Sequence, residues 1–215
     1  MRRRPHIPPL PETIHAFIYE PPVTPTIWPR RLFHLLAGST IPLLILLAPE
    51  HWVEWVLIGG SIASVLTEAG RSLVGPLNDM VVSRLPFFKP KERFQVTGAT
   101  FLWLSATFVY FVFPHESAIL ALLFLAVGDP VAALVGGRDH TIRIFGKSPT
   151  GTVAFAVAAT LAGVLVSLHP DVRLGWWIPL GAVAAAVAEL VPSPVDDNLT
   201  VPLAAALVMA IPVLL

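Results

Sequence analysis

A short run of the chain combines residue types that bind phosphate. The segment Gly146-Lys147-Ser148-Pro149-Thr150-Gly151-Thr152 precedes an apolar stretch, so a helix starting there would direct free N–H groups and the positive end of its dipole at an anion. Lys147 would add a point charge, and the serine and threonine hydroxyls would donate hydrogen bonds. The segment differs from the G-x-x-x-x-G-K-[ST] loop, because Thr141 occupies the position of the first glycine. A simple helix cap is the alternative interpretation.

Carboxylates within apolar stretches, or at their ends, are the second chemical feature, since such groups are costly in lipid and usually serve function. Asp129 and Asp197 suit Mg²⁺, which takes carboxylates together with nucleotide phosphates, and either could instead accept a proton from an attacking hydroxyl. Asn198 could contribute a carbonyl or hold a phosphate oxygen. The alternative for Asp196-Asp197-Asn198 is a helix N-cap. Two further acids of this kind are Glu68 and Glu189.

Glycine, proline and histidine mark two further places. Gly128-Asp129-Pro130 predicts a kink or break, and the small residues at 132, 133, 136 and 137 would let a helix or a ligand approach the backbone closely. His34 follows Arg30 and Arg31 by one helical turn, so the three could form a polar patch. A histidine there is more often an interfacial residue, and the arginines are equally explained as topology determinants.

The composition indicates that membrane-spanning elements must position these residues. Only 13% of the 215 residues are charged and 55% are hydrophobic, whereas soluble domains carry roughly 25% charge; mean hydropathy is +0.74. We therefore expect lipid to surround much of the surface. The formal net charge of zero does not indicate a nucleic-acid partner. The chain has no cysteine, which excludes disulfides, zinc-thiolate sites and thiol catalysis.

Seven apolar stretches predict an all-α, polytopic bundle of about seven transmembrane helices. Each is near the ~20 residues that cross a bilayer. Seven spans place thirteen of the fourteen Lys and Arg residues on the N-terminal side and only Arg173 opposite, so the positive-inside rule makes the N-terminus, and the acids listed above, cytoplasmic. The stretches are 32–48, 52–70, 94–113, 116–137, 150–168, 174–191 and 198–215.

Two segments are expected to lie outside the spans. Residues 1–29 form a separate Pro-rich tail, without the uninterrupted apolar stretch of a signal peptide, and 30–215 form the transmembrane domain. The 71–93 loop mixes apolar and polar residues, and it predicts either a short interfacial helix over 77–88 or an ordinary connection.

The ordered set of motifs resembles the CTP-dependent lipid alcohol kinases, which include dolichol, phytol and other polyprenol kinases and the yeast-type diacylglycerol kinase. The resemblance covers nearly the whole chain after residue 29. It is carried by Arg30-Arg31-x-x-His34, Glu68-x-x-Arg71, Glu92, Thr97-Gly98-Ala99-Thr100, Gly128-Asp129-Pro130-x-Ala132-Ala133, Gly137-Arg138, Lys147-Ser148-x-x-Gly151, Glu189 and Asp197-Asn198-x-x-Val201-Pro202.

The resemblance implies a membrane-embedded kinase that binds CTP and Mg²⁺ at the cytoplasmic face and phosphorylates a membrane-embedded primary alcohol. It implies catalytic roles for Asp129, Lys147 and Asp197, with the two carboxylates on the metal or one of them as base. The nucleotide-binding positions would be Arg138, Lys147, Ser148, Thr150, Gly151 and Asn198. The positions that support the site or touch the substrate would be Arg31, His34, Glu68, Arg71, Glu92 and Glu189.

The expected acceptor is an isoprenoid alcohol of the phytol, geranylgeraniol or polyprenol type, because the small chain is similar in size to that branch of the family; diacylglycerol is second. Two positions depart from the family pattern. Thr141 replaces the last glycine of Gly-Arg-x-x-Gly, which alters the loop's path, and Thr150 stands where an acidic residue often occurs, which removes a possible metal ligand or base. The sequence does not indicate an oligomeric state.

Two other functions compete with this interpretation. Phosphatidate cytidylyltransferases are similar in using CTP and in a Gly-Asp and Lys-Ser/Thr region, but residues 192–215 lack the Lys and Arg of their signature. An ion-coupled transporter would use Glu68, Asp129 and Glu189 as an ion path. A transporter needs polar positions accessible from both sides, whereas these acids are predicted near one side.

Overall fold

The computed structural model describes residues 28–75, 78, 95–138 and 142–214. Within those ranges the chain folds into α-helices without a β-strand. Each predicted apolar stretch corresponds to one helix, with its ends displaced by at most four residues. The helices whose bounds lie within the described residues are α1 Trp28–Leu47, α2 Glu50–Leu73, α3 Gly98–Val112, α4 His115–Gly136, α5 Pro149–Val166, α6 Trp177–Leu190 and α7 Asp197–Leu214.

Among the described helices, α4, α5 and α7 are long and apolar enough to cross a membrane. Helices α3 and α6, and the Leu35–Leu47 part of α1, are apolar but shorter. The structure therefore supports a membrane protein with three candidate spans, and crossing by all seven helices stays a prediction.

Helix α4 lies at the centre of the bundle. Its residues from Ser117 to Ala126 are all buried, and α1, α3, α5, α6 and α7 pack around it. A helix that is apolar on every side is expected in such a place. The surrounding helices turn large apolar side chains outward: on α5, Val153, Leu161 and Leu165 are each more than 60% exposed. This outer surface suits lipid.

The predicted interruption at Gly128-Asp129-Pro130 is not a break, because α4 continues through Pro130 to Gly136. Proline removes only one backbone hydrogen bond of the helix, the one to the carbonyl four residues earlier. Gly128 lies against the ring of Phe155, and a Cβ at this glycine would come within 2.5 Å of that ring. Close packing on α5 thus supports the helix at the proline.

Small residues predicted to permit a close approach do so between α4 and α5. A Cβ on Gly151 would lie 2.8 Å from the carbonyl oxygen of Ala132, and one on Gly136 would lie 3.5 Å from the Cα of Gly151. The neighbour at this crossing is therefore a helix. The contact also joins the C-terminal end of α4 to the N-terminal end of α5.

Polar contacts join further helix ends on the same side of the bundle. Glu68, near the end of α2, accepts a hydrogen bond from the backbone of Thr97, at the start of α3. Lys147, just before α5, contacts residues at the end of α6 and the start of α7. At the opposite end, the backbone N–H of Arg173 donates to Glu116. The described acids singled out by the sequence thus gather at one end.

The predicted tail lies outside the described residues except for Trp28 and Pro29, as does the loop from residue 79 to residue 94. The interfacial helix over 77–88 therefore stays a prediction.

Candidate functional site

Lys147 is the centre of a charged cluster built from three separate segments. Its Nζ lies 2.9 Å from Oε1 of Glu189 and 3.0 Å from Oδ2 of Asp197, and it also donates to the backbone carbonyl of Glu189. The side chain of Lys147 is 33% exposed and that of Asp197 41%, whereas that of Glu189 is 11% exposed. The cluster is thus accessible to a ligand from the Lys147 and Asp197 side.

A tight turn places Lys147 in this cluster. The backbone groups of Ile144 and Lys147 exchange hydrogen bonds of 2.8 and 3.0 Å, and the two residues between them, Phe145 and Gly146, have φ of 52° and 79°. A two-residue turn of this kind needs positive φ at both central positions. Glycine adopts it freely, but a bulky residue such as Phe145 is strained there. The strain lies directly beside the cluster.

The start of α5 has the hydrogen bonds of a helix cap, which was the alternative interpretation of this segment. Ser148 is buried, its Oγ accepts the N–H of Gly151 at 3.5 Å, and it lies 2.6 Å from Oγ1 of Thr150. Thr152 donates its hydroxyl back to the carbonyl of Ser148. The cap interpretation therefore applies to Ser148, and Gly151 has a packing role at the α4 crossing. Thr150 is exposed.

The start of α7 separates the two adjacent aspartates. Oδ1 of Asp196 accepts the backbone N–H of Asn198 at 3.0 Å and its side-chain Nδ2 at 2.8 Å. Asp196 is therefore the helix cap, as the alternative interpretation of this segment predicted. Asp197, the next residue, directs its carboxylate at Lys147 instead.

A serine that the sequence analysis did not single out supports this helix start. Pro202 lacks the N–H that would bond the carbonyl of Asn198 four residues earlier. In its place, Oγ of Ser105 in α3 donates to that carbonyl at 2.6 Å. Ser105 is fully buried. The sequence does show a proline within α7 and a serine within apolar α3, which could have suggested this contact. Only the folded structure shows that the serine binds the carbonyl that the proline leaves without a donor.

Asp129 is half-buried in α4 and lies near enough to Glu189 to interact with it electrostatically. Among the residues that the structure describes, no three His, Asp or Glu side chains gather as a ready-made metal site. Mg²⁺ commonly takes only one or two protein carboxylates, with phosphates and water completing its shell. The carboxylates of Asp129 and Asp197 at this end of the bundle are compatible with that smaller set.

The charge state of Lys147 follows from its surroundings. Partial burial lowers the pKa of Lys147, but the charges of Glu189 and Asp197 and their hydrogen bonds outweigh burial, so the pKa is raised above its ordinary value of 10.5. Lys147 is therefore a cation throughout the physiological pH range.

A second polar cluster joins α2 to α3. Arg71 is buried and forms an ion pair with Glu68; it also donates to the carbonyl of Gln95 and to Oδ1 of Asn78. Oε2 of Glu68 accepts the N–H of Thr97 at 3.2 Å. The structure thus brings together two motifs that the sequence analysis quoted separately, Glu68-x-x-Arg71 and Thr97-Gly98-Ala99-Thr100.

The other predicted residues lie outside these two clusters. Arg138 is exposed just after α4, while the side chains of Arg31 and His34, and all of Glu92, are outside the described part of the chain. Arg143, considered in the sequence only for its charge, donates to the carbonyl of Gly136 at 3.0 Å. That bond caps the C-terminal end of α4.

Comparison with known proteins assigns no activity to the chain. No family model matches the sequence, and no solved structure matches it. An uncharacterized protein of Rickettsia prowazekii (strain Madrid E) is 29% identical over 181 residues, which cover 81% of this chain and 88% of that protein.

Proposed function

We propose that the chain is a multi-pass membrane kinase that transfers the γ-phosphate of CTP to the hydroxyl of an isoprenoid alcohol at the cytoplasmic face. The observation that carries the proposal is the contact of Lys147 with Glu189 and Asp197, at the end of the bundle where α5 and α7 begin. The resemblance to CTP-dependent lipid alcohol kinases supplies the nucleotide and the acceptor class.

Phosphoryl transfer needs positioning and charge stabilisation more than covalent chemistry from the protein. A lysine beside two helix N-termini offers both to a triphosphate. In the proposed reaction the alcohol oxygen forms a bond to the γ-phosphorus, the bond from that phosphorus to the β–γ bridging oxygen breaks, and CDP leaves. The hydroxyl proton passes to a carboxylate, either Asp129 or Asp197.

Two carboxylates that interact with Lys147 or with its partner Glu189 also fit the proposed metal. Asp129 and Asp197 are the residues that would hold Mg²⁺, which when bound with the nucleotide neutralises negative charge on the phosphates. Lys147 balances the charge of Asp197 at 3.0 Å. We infer that phosphate oxygens compete with Asp197 for Lys147 when the nucleotide binds.

Purified protein offered a matrix of substrates tests the proposal. CTP, ATP, GTP and UTP are each combined, with Mg²⁺, with phytol, geranylgeraniol, a longer polyprenol or diacylglycerol. We expect an isoprenyl monophosphate with CTP. Asp129→Ala and Lys147→Met should each lower kcat by about 100-fold or more, the loss typical when one charge-stabilising group is removed.

Arg173→Met is the matched control for Lys147→Met. It removes one positive charge at the opposite end of the bundle, where the Arg173 side chain donates to the carbonyl of Pro170, and it should retain activity. Diacylglycerol phosphate as the main product would change the acceptor. Pyrophosphate and a CDP-lipid from phosphatidate would replace the kinase with a cytidylyltransferase. No turnover with any pair, together with ion flux in vesicles, would indicate the transporter.

A further inference from the structure

A cavity of about 820 Å³ lies between α2 and α3, beside the Glu68–Arg71 ion pair. Cavities of roughly 300–1,000 Å³ hold ligands of small-molecule size. The residues that line it include Val65, Glu68, Arg71, Thr100, Phe101 and Leu104.

Among the described residues, the polar side of this cavity carries one cation paired with one anion. The guanidinium of Arg71 is paired with Glu68 and also donates to Asn78 and to the carbonyl of Gln95. Thr100 Oγ1 lies 3.4 Å from Oε2 of Glu68, which is long for an O–H···O bond. Oγ1 of Thr100 also lies 3.1 Å from Oγ1 of Thr97, so a ligand hydroxyl that donates to Oε2 of Glu68 could make a shorter hydrogen bond than Thr100 makes. Because Glu68 lies beside Arg71, an anionic headgroup would gain little net attraction from this pair.

The apolar side is continuous with the outer surface of the bundle. Val65, Val96 and Leu104 line the cavity and are 44%, 43% and 39% exposed. A hydrocarbon chain lying against these residues can leave the cavity into lipid without crossing polar surface. The cavity thus combines a hydrogen-bonding end with an apolar exit.

Helix α3 connects the cavity wall to the charged cluster. Phe101 lines it, and Ser105, one helical turn later on the same face of α3, donates to the carbonyl of Asn198. Asn198 directly follows Asp197, which contacts Lys147. One turn of α3 therefore connects the cavity wall to the helix that carries the proposed catalytic carboxylate.

From this arrangement we propose that the cavity binds the hydroxyl-bearing end of an uncharged lipid alcohol. The hydroxyl lies beside Glu68 and Thr100, and the first carbons of the chain lie against Val65, Phe101 and Leu104. This inference rests on the proposed function, because it names the place where the acceptor of that reaction is held before transfer.

Photolabelling of the full-length protein tests the site directly. A geranylgeraniol carrying a diazirine near its hydroxyl end is irradiated with the protein in lipid nanodiscs, and the labelled peptides are identified by mass spectrometry. We expect labels within 65–72 and 96–104, reduced by excess unlabelled geranylgeraniol. Labels spread over the exposed surface, or insensitive to competition, would overturn the proposal.

A variant that fills the cavity provides the second measurement. Leu104→Trp should raise the KM for the alcohol at least 10-fold and leave the KM for the nucleotide unchanged. Leu161→Trp makes the same change on an outward residue of α5 that is 65% exposed, and both KM values should remain as in the wild type. An unchanged alcohol KM in Leu104→Trp would overturn the proposal. If this variant does not fold, labelling of the wild type decides alone.

The two proposals can fail separately. Competed labelling of the cavity without phosphorylation of any alcohol would leave the lipid site and overturn the kinase. Phosphorylation with labels only at other positions would leave the kinase and overturn this lipid site.

Discussion

At the residue scale, the chemistry of the site depends on one lysine and on the residues that hold it. Lys147 has two carboxylate oxygens within 3.0 Å, both from helices that follow it in the chain. Phe145, in the turn before Lys147, has a strained backbone conformation, and such a conformation persists only where surrounding contacts hold it. The ion pairs of Lys147 are contacts of this kind. The ion pairs therefore have a structural role in addition to any role with phosphate.

The pH dependence of stability should reveal this pairing. Because the pKa of Lys147 is raised in the folded protein, the stabilisation is fully present below the ordinary lysine pKa of about 10.4 and is lost as the pH rises through the higher, folded-state value. The difference in Tm between wild type and Lys147→Met, measured from pH 7 to pH 11, should stay constant until about pH 10 and then shrink. A difference that already shrinks near neutral pH would contradict the assignment.

The solvent exposure of Lys147 limits how much the loss of its ion pairs can destabilise the folded protein. Removing one partner of a fully buried ion pair costs about 3–5 kcal/mol, and the Lys147 side chain is one-third exposed. The free energy of unfolding of Lys147→Met should therefore fall by less than that amount at neutral pH.

Residue types and spacing were sufficient to select Lys147, Glu189 and Asp197, which the structure places in contact. They could not decide which of two adjacent aspartates caps α7, since both residues suit an N-cap; the side-chain direction at Asp197 depends on the position of Lys147. Ser105 could not be selected either, because its partner lies 93 residues away and neither residue is chemically unusual alone.

At the element scale, the α4–α5 crossing depends on the absence of a side chain at Gly151. An added Cβ would lie 2.8 Å from the backbone oxygen of Ala132, and the backbone must shift to relieve this contact. Gly151→Ala should lower the free energy of unfolding by about 1–3 kcal/mol, the usual cost of overpacking. Thermal unfolding in detergent measures it.

Gly59→Ala is the control for that substitution. Gly59 lies within α2 and has no atom within 4 Å of an added Cβ, so alanine should stabilise the helix by up to ~1 kcal/mol. Equal effects of the two substitutions on the free energy of unfolding would show that the effect of Gly151→Ala comes from helix propensity and not from the α4–α5 crossing.

The hydroxyl of Ser105 should contribute to the free energy of unfolding, because it donates a hydrogen bond to the carbonyl of Asn198. Ser105→Ala leaves the part-buried carbonyl of Asn198 without this donor, and the loss of such a hydrogen bond costs about 1 kcal/mol. Ser167→Ala also removes a hydroxyl bonded within a helix end, but that hydrogen bond is exposed to solvent, so its effect should stay within about 0.5 kcal/mol. Chemical unfolding of both variants compares them. A neutral Ser105→Ala would contradict the role given to Pro202.

Hydropathy was sufficient to predict all seven helices, because each apolar stretch is long enough to need internal hydrogen bonds and ends at polar or proline residues. It could not identify the helix at the centre. Helix α4 has the highest mean hydropathy of the three candidate spans, 2.4, but lipid and protein neighbours are equally apolar. The distinction depends on tertiary packing, which places Ser117–Ala126 inside.

At the scale of the whole molecule, the bundle is polar at one end and nearly uncharged along its sides. The charged cluster of Lys147, Glu189 and Asp197 lies at the first end, whereas the backbone N–H of Arg173 donates to Glu116 at the other. With the positive-inside rule, this polarity predicts that the Lys147 end faces the cytoplasm.

Single cysteines in the cysteine-free chain can test this orientation. Ile142 is 65% exposed at the Lys147 end, and the Asp171 side chain is 75% exposed at the other. A membrane-impermeant maleimide should label Asp171→Cys in intact cells, and Ile142→Cys only in inside-out vesicles. Labelling of both from the same side would refute a topology in which the two ends lie on opposite faces.

The contact between Ser105 and Asn198 has a consequence for biosynthesis. Its two residues are separated by 93 positions, and at roughly 5–20 residues per second a ribosome needs about 5–19 s to pass from one to the other. During that interval α3 is already made, while the carboxylate of Asp197 does not yet exist. Lys147 likewise meets its second acid only after residue 197 has been added. The charged cluster around Lys147 is therefore complete only after the start of α7 has been made and has docked, so the catalytic centre that we propose would be assembled late in biosynthesis.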